Sequence, residues 1–126
     1  MPLTQFIDHE RNVSVISVTG RLSVADTVAF IKEEAAKAEE DGKRLPLLID
    51  ATQADDHKFL ITEVDMFARL AEKMHRNNGH RREALVAGSE MNLGVLSLFK
   101  QFSANSENTQ VFTDVDEAIA WLNSSG

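Results

Sequence analysis

The run Asp55-Asp56-His57-Lys58 is where acid–base or metal chemistry would first be sought in this chain. An unperturbed imidazole titrates near ~6.5, so a carboxylate beside it could exchange a proton near neutral pH or help hold a divalent ion. Successive residues of an extended loop point in opposite directions, so only Asp55 and His57 can easily share a ligand. Two ligands do not complete a metal site, and the chain nominates no third, so no metal is expected. With no cysteine, the chain can form no disulfide, thiolate metal site or Cys nucleophile. Neither a GxGxxG fingerprint nor a P-loop is present, and no cofactor is expected. No Ser/His/Asp constellation stands out among the many combinations available. No catalytic residue is therefore assigned, and the reading is of a non-enzyme.

A second kind of chemistry is apolar. Leu93-Gly94-Val95-Leu96-Ser97-Leu98-Phe99 is apolar nearly all round, and Met91 and Phe102 extend it. A helix of that character is buried, or it lines a pocket or an interface. Gly94 inside it costs about 1 kcal/mol against Ala, which points to a close approach by something. His75, Arg76, His80, Arg81 and Arg82 form a basic cluster around the end of another helical segment, where cations also suit the helix dipole.

The elements that must position these residues alternate along the chain. Leu3–His9 and Val13–Thr19 read as strands joined by the polar turn Glu10-Arg11-Asn12, an antiparallel hairpin. Ser23 then caps a helix whose stripe is Val24, Val28, Ile31, Ala35 and Ala38. Leu45–Ile49 is apolar on both faces, as a strand of a parallel sheet should be, and residues 50–58 read as a loop. Thr62 and Asp65 open a second helix with Leu60, Val64, Phe67, Ala71 and Met74 inward. Ala84–Gly88 is another buried strand, Ser89 caps a third helix, Thr109–Thr113 is the last strand, and Asp114 with Glu117 opens a fourth helix. The helices are expected at about 23–41, 62–78, 90–103 and 115–123. The order ββαβαβαβα predicts an α/β domain with a five-stranded, mostly parallel sheet and four helices. In such sheets ligands gather beyond the carboxyl ends of the strands. A polar site there would use Arg21, Asp55, His57 and Ser89, with helix N-termini supplying N–H donors.

Length and charge narrow the function. The 126 residues fit one domain spanning 1–126. The net charge of −7 repels phosphate backbones and argues against nucleic-acid binding. No apolar stretch approaches the ~20 residues of a membrane span, and Met1–Glu10 lacks the pattern of a secretory signal. With no cysteine, a cytoplasmic location is expected.

Val18-Thr19-Gly20-Arg21-Leu22, Leu47-Leu48-Ile49-Asp50, Ala84-Leu85-Val86-Ala87 and the tail from Val111-Phe112-Thr113-Asp114 to Glu117-Ala118-Ile119-Ala120-Trp121-Leu122 together resemble the SpoIIAA-like (STAS) family of small bacterial proteins, including its Sec14-like members. The resemblance implies the STAS fold and a regulatory or binding module that works through protein contacts, here expected as a homodimer. Its Sec14-like side implies an alternative, a carrier or sensor of a small apolar or amphipathic ligand. The residues expected to line such a pocket or interface are Met91, Leu93, Val95, Leu96, Phe99 and Phe102. Family members that antagonise anti-sigma factors carry a phosphorylatable Ser, usually in Asp-Ser-Ser-Gly, after the central strand. Here residues 54–62 hold no serine and no glycine, which leaves Thr52 and Thr62 as the nearby hydroxyls.

Overall fold

The computed structural model describes residues 2–41, 45–78 and 81–124, with side chains except those of 37–41 and 73–78. The chain runs β1 (Leu3–Asp8), β2 (Val13–Gly20), α1 (Val24–Asp41), β3 (Leu47–Ala54), α2 (Ile61–Asn78), β4 (Glu83–Ala87), α3 (Glu90–Phe102), a short 3₁₀ turn at Ser106–Asn108, β5 (Thr109–Phe112) and α4 (Val115–Leu122). β1 pairs antiparallel with β2, and β2 through β5 are parallel. The α/β fold expected from the alternation is the one observed, with β2, β3 and β4 as the central strands.

The hairpin turn uses Asn12 in the left-handed region (φ 58°), and the Arg11 N–H donates to Asp8 Oδ1 at 3.1 Å. Ser23 Oγ accepts from Asp26 N at 3.0 Å, Ser89 Oγ from Asn92 N at 3.2 Å, and Asp114 from the N–H groups of Asp116 and Glu117. Helix α2 starts differently from expectation. It begins at Ile61, and Glu63 Oε1 reaches back to the Leu60 N–H at 2.7 Å, so Glu63 does the capping and Thr62 sits exposed in the first turn. Leu60, expected inside, is 65% exposed, because it lies before the helix and off its buried stripe.

Strand β3 continues past Ile49 to Ala54, where the sequence pattern predicts a loop. The extension contains a bulge. Ser17 faces Asp50 but Thr19 faces Gln53, so β3 carries one extra residue. Asp50 Oδ1 accepts from Thr52 N (2.9 Å) and Thr52 Oγ1 (2.6 Å), satisfying a backbone N–H at the irregularity. The polar residues that look like a loop in sequence are thus bonded to one another inside a strand.

Strand order follows chain order, 1-2-3-4-5. Helix α1 packs on α2 and α2 on α3, forming one layer, while α4 packs against β3, β4 and β5. The α4 side is closed by Val13, Val15, Leu48, Ala84, Val86, Ala118 and Leu122. Arg82 fixes that helix: its Nη1 donates to the Trp121 carbonyl at 2.6 Å, and its guanidinium lies 5.1 Å from the Trp121 ring centroid.

Two glycines make opposite predictions. A Cβ on Gly88 would stand 2.5 Å from the Thr52 carbonyl oxygen and 2.9 Å from Thr52 Cα, both backbone atoms beside the bulge. Gly94, expected to mark a close approach, has nothing within 4 Å of its Cβ position among the described residues. Gly88→Ala should cost about 1–3 kcal/mol by overpacking, and Gly94→Ala should stabilise by about 1 kcal/mol through helix propensity. Urea unfolding of the two variants checks both signs.

Candidate functional site

The loop 55–60 is tied down at several points. Asp55 N donates to the Gly20 carbonyl at 2.8 Å. The His57 backbone N–H donates to Asn92 Oδ1 at 3.0 Å, and Asn92 Nδ2 donates to the Asp55 carbonyl at 2.9 Å. His57 Nε2 accepts from the Leu22 N–H at 2.8 Å, which places the imidazole proton on Nδ1. The ring stacks on Phe59 (5.2 Å, 22°), and Phe59 meets Phe67 edge-on (5.1 Å, 85°). His57 and Asn92 are 6% and 4% exposed.

This arrangement divides the four residues named for a polar strand-end site. His57, the Asp55 backbone and Ser89 are joined through Asn92. The Asp55 side chain is exposed, whereas the His57 ring is buried and already occupied at Nε2. Arg21 is exposed and makes no hydrogen bond or ion pair among the described residues. Of the two threonines, Thr62 is exposed, and the half-buried Thr52 spends its hydroxyl proton on Asp50. In the basic cluster, the side chains of His75, Arg76 and His80 lie outside the described residues.

A concave feature among the described residues lies elsewhere, between the sheet and the α1–α2–α3 layer. It is a pocket of about 150 Å³. The sheet contributes its floor, with Ile16 and Val18 from β2, Leu47 and Ile49 from β3, and Leu85 from β4. Phe30 and Ile31 of α1, Val64 and Phe67 of α2, and Phe59 of the tethered loop form walls. From α3 come Val95, Leu96 and Phe99. Met91 is 40% exposed, and Leu93 and Phe102 are half-buried off the pocket. The apolar character of α3 is therefore split between the pocket and its rims.

Three polar side chains also line the pocket: Thr27, Glu34 and Glu83. Glu34 is 4% exposed and Glu83 is 2% exposed. Burial pushes the Glu83 carboxyl up to about 7, opposed by the charge of Arg81 and a hydrogen bond with the Asn105 side chain. Burial likewise lowers Arg81 from its ordinary value, opposed by Glu83 and Glu34. Asn105, 1% exposed, holds the segment before β4 by donating from Nδ2 to the Arg81 carbonyl at 2.9 Å.

The sequence pattern missed both glutamates. The inward face of α1 is Thr27, Phe30, Ile31, Glu34 and Ala35, which keeps 3-4 spacing as well as the all-apolar stripe does. Counting only apolar residues rotated that face. Glu83 opens a strand buried on both sides, and its place beside Ala84 was the available signal.

Glu83 makes stability depend on pH. Its folded value of about 7 lies above the ordinary 4.5, so the folded state holds the proton more tightly. The group costs nothing below 4.5 and opposes folding increasingly as pH rises through about 7. That shift corresponds to roughly 3 kcal/mol. Glu83→Gln should gain stability relative to the parent between pH 5 and pH 8 by about that amount. Urea titrations of both proteins at the two pH values measure it, and an unchanged difference would remove the assignment.

Residues 13–123 match the family model described as SpoIIAA-like. Neither a curated protein nor a solved structure matches the chain. Among the described residues no helix is long and apolar enough to cross a membrane. The match spans β2 through α4, the five-stranded sheet and four helices agree with the STAS fold, and such domains generally serve as protein-interaction or regulatory modules. The chain belongs to the SpoIIAA-like family.

Proposed function

We propose that this is a non-catalytic, cytoplasmic binding module whose pocket holds one small, mainly apolar molecule. The observation carrying this reading is the pocket of about 150 Å³ walled by Phe30, Phe59, Phe67, Leu96 and Phe99. A cavity of ~150 Å³ lined by Leu, Ile and Phe takes benzene, so the occupant is the size of one small ring or short chain. A two-chain lipid is too large for that volume. The exposed Asp55 side chain and the occupied His57 ring favour binding over proton-transfer chemistry in the neighbouring loop. Buffer saturated with benzene should raise the melting temperature by mass action. Native mass spectrometry of freshly purified protein should show an adduct of the same size class. An unchanged melting temperature together with the mass of the bare chain would sink the reading.

A second reading, contact with protein including a second copy of this chain, is favoured by exposed apolar side chains. Leu60 and Ile61 are adjacent and 65% and 62% exposed at the start of α2, and Met91 is 40% exposed at the start of α3. Val95, Leu96 and Phe99 face the pocket, which leaves Leu60, Ile61 and Met91 as the apolar side chains a second copy would cover. Light scattering at tens of micromolar should give twice the chain mass, reverting to one chain mass in Leu60→Lys/Ile61→Lys. A parent protein that is already monomeric removes the homodimer.

A further inference from the structure

We propose that the pocket takes only molecules without a polar head, a small hydrocarbon ring or chain, and rejects alcohols, amines and acids of the same size alike. This rests on the pocket's being a ligand site and specifies the class of molecule that site takes.

The wall presented to an occupant is almost wholly hydrocarbon. All lining side chains but Thr27, Glu34 and Glu83 are apolar, and the polar ends of those three are engaged elsewhere. Thr27 Oγ1 donates to the carbonyl of Ser23, the residue that caps α1, at 2.9 Å. Glu83 is held by the charge of Arg81 and by the Asn105 side chain, and Glu34 by the charge of Arg81. Neither Arg81 nor Asn105 lines the pocket, so what the two glutamates add to its wall is aliphatic carbon. Four phenylalanines, Phe30, Phe59, Phe67 and Phe99, contribute ring faces and edges that pack well against another hydrocarbon.

A hydroxyl, amine or carboxylate is fully hydrogen-bonded in water. Against this wall it would lose that hydration and meet no partner, a loss that falls on neutral heads as well as charged ones. A methyl group in the same place loses no hydrogen bond and gains contact. The volume suits on the order of six to eight non-hydrogen atoms, by comparison with benzene in a ~150 Å³ cavity. A ring of that size carries its substituent against the same wall.

Toluene, phenol and aniline share one ring and differ only in a methyl, hydroxyl or amino substituent. Calorimetric titration of the intact protein at neutral pH should find toluene bound about tenfold or more tightly than either of the others. Leu96→Gln places an amide in the α3 wall, at a half-buried position that tolerates a polar side chain. It should narrow the gap about threefold or more by giving the substituent a partner, with a far-UV circular dichroism spectrum like the parent's to show that it folds. Val95→Thr adds a hydroxyl to the same wall in nearly the same shape, and it makes the same test if Leu96→Gln does not fold. Phenol or aniline binding the parent as tightly as toluene would overturn the inference while leaving the pocket a ligand site. A gap that stays unchanged in a folded variant would overturn it as well. Failure of toluene and benzene together would remove the ligand reading itself.

Discussion

The side chains of Asn92 and His57 fasten together three segments that are far apart in sequence. Asn92 sits in the first turn of α3, its own N–H taken by Ser89, and its amide accepts from His57 N and donates to the Asp55 carbonyl. His57 carries the connection on to Leu22 at the entrance to α1. Each bond contributes only about 1 kcal/mol net, but these groups are buried, and a lost partner would leave each unmatched group at a cost of about 1–3 kcal/mol. The clamp ties the loop after β3 to the entrances of α1 and α3. Its neighbours Leu22 and Phe59 are pocket walls, so pocket shape is coupled to this network.

Consecutive strand order explains why the concave site is inside the layer. Crevices at the carboxyl edge of a parallel sheet open where neighbouring connections leave toward opposite faces. Here α1, α2 and α3 form one layer, so the connections after β2, β3 and β4 do not diverge. The loop after β3 is instead drawn in and bonded, while Arg21 is left exposed. The available space lies deeper, between aromatic side chains of the helices and the aliphatic floor of the sheet.

Two glutamates buried beside that space are expensive in stability, and replacing them by apolar residues is the simpler way to fill a core. Local violations of good packing chemistry of this kind concentrate where a protein binds something. The same burial raises the Glu83 carboxyl against the opposing pull of Arg81 and Asn105.

Periodicity alone determined the order of elements, the hairpin at Glu10–Asn12, the central position of β2, β3 and β4, and the caps at Ser23, Ser89 and Asp114, because each is written within a few neighbouring residues. The match of family model to chain rests on the same local patterns. Tertiary structure decided the rest. Asp50 and Thr52 look like loop residues until their mutual bonds place them at a bulge in β3. His57 looks like a free loop side chain until Leu22 and Asn92, each 35 positions away, claim its ring and backbone. Glu34 and Glu83 belong to an inward face only once helix and sheet are brought together. Burial and hydrogen-bond partnership are properties of what comes to lie opposite a residue, and sequence spacing within a single element carries no record of that.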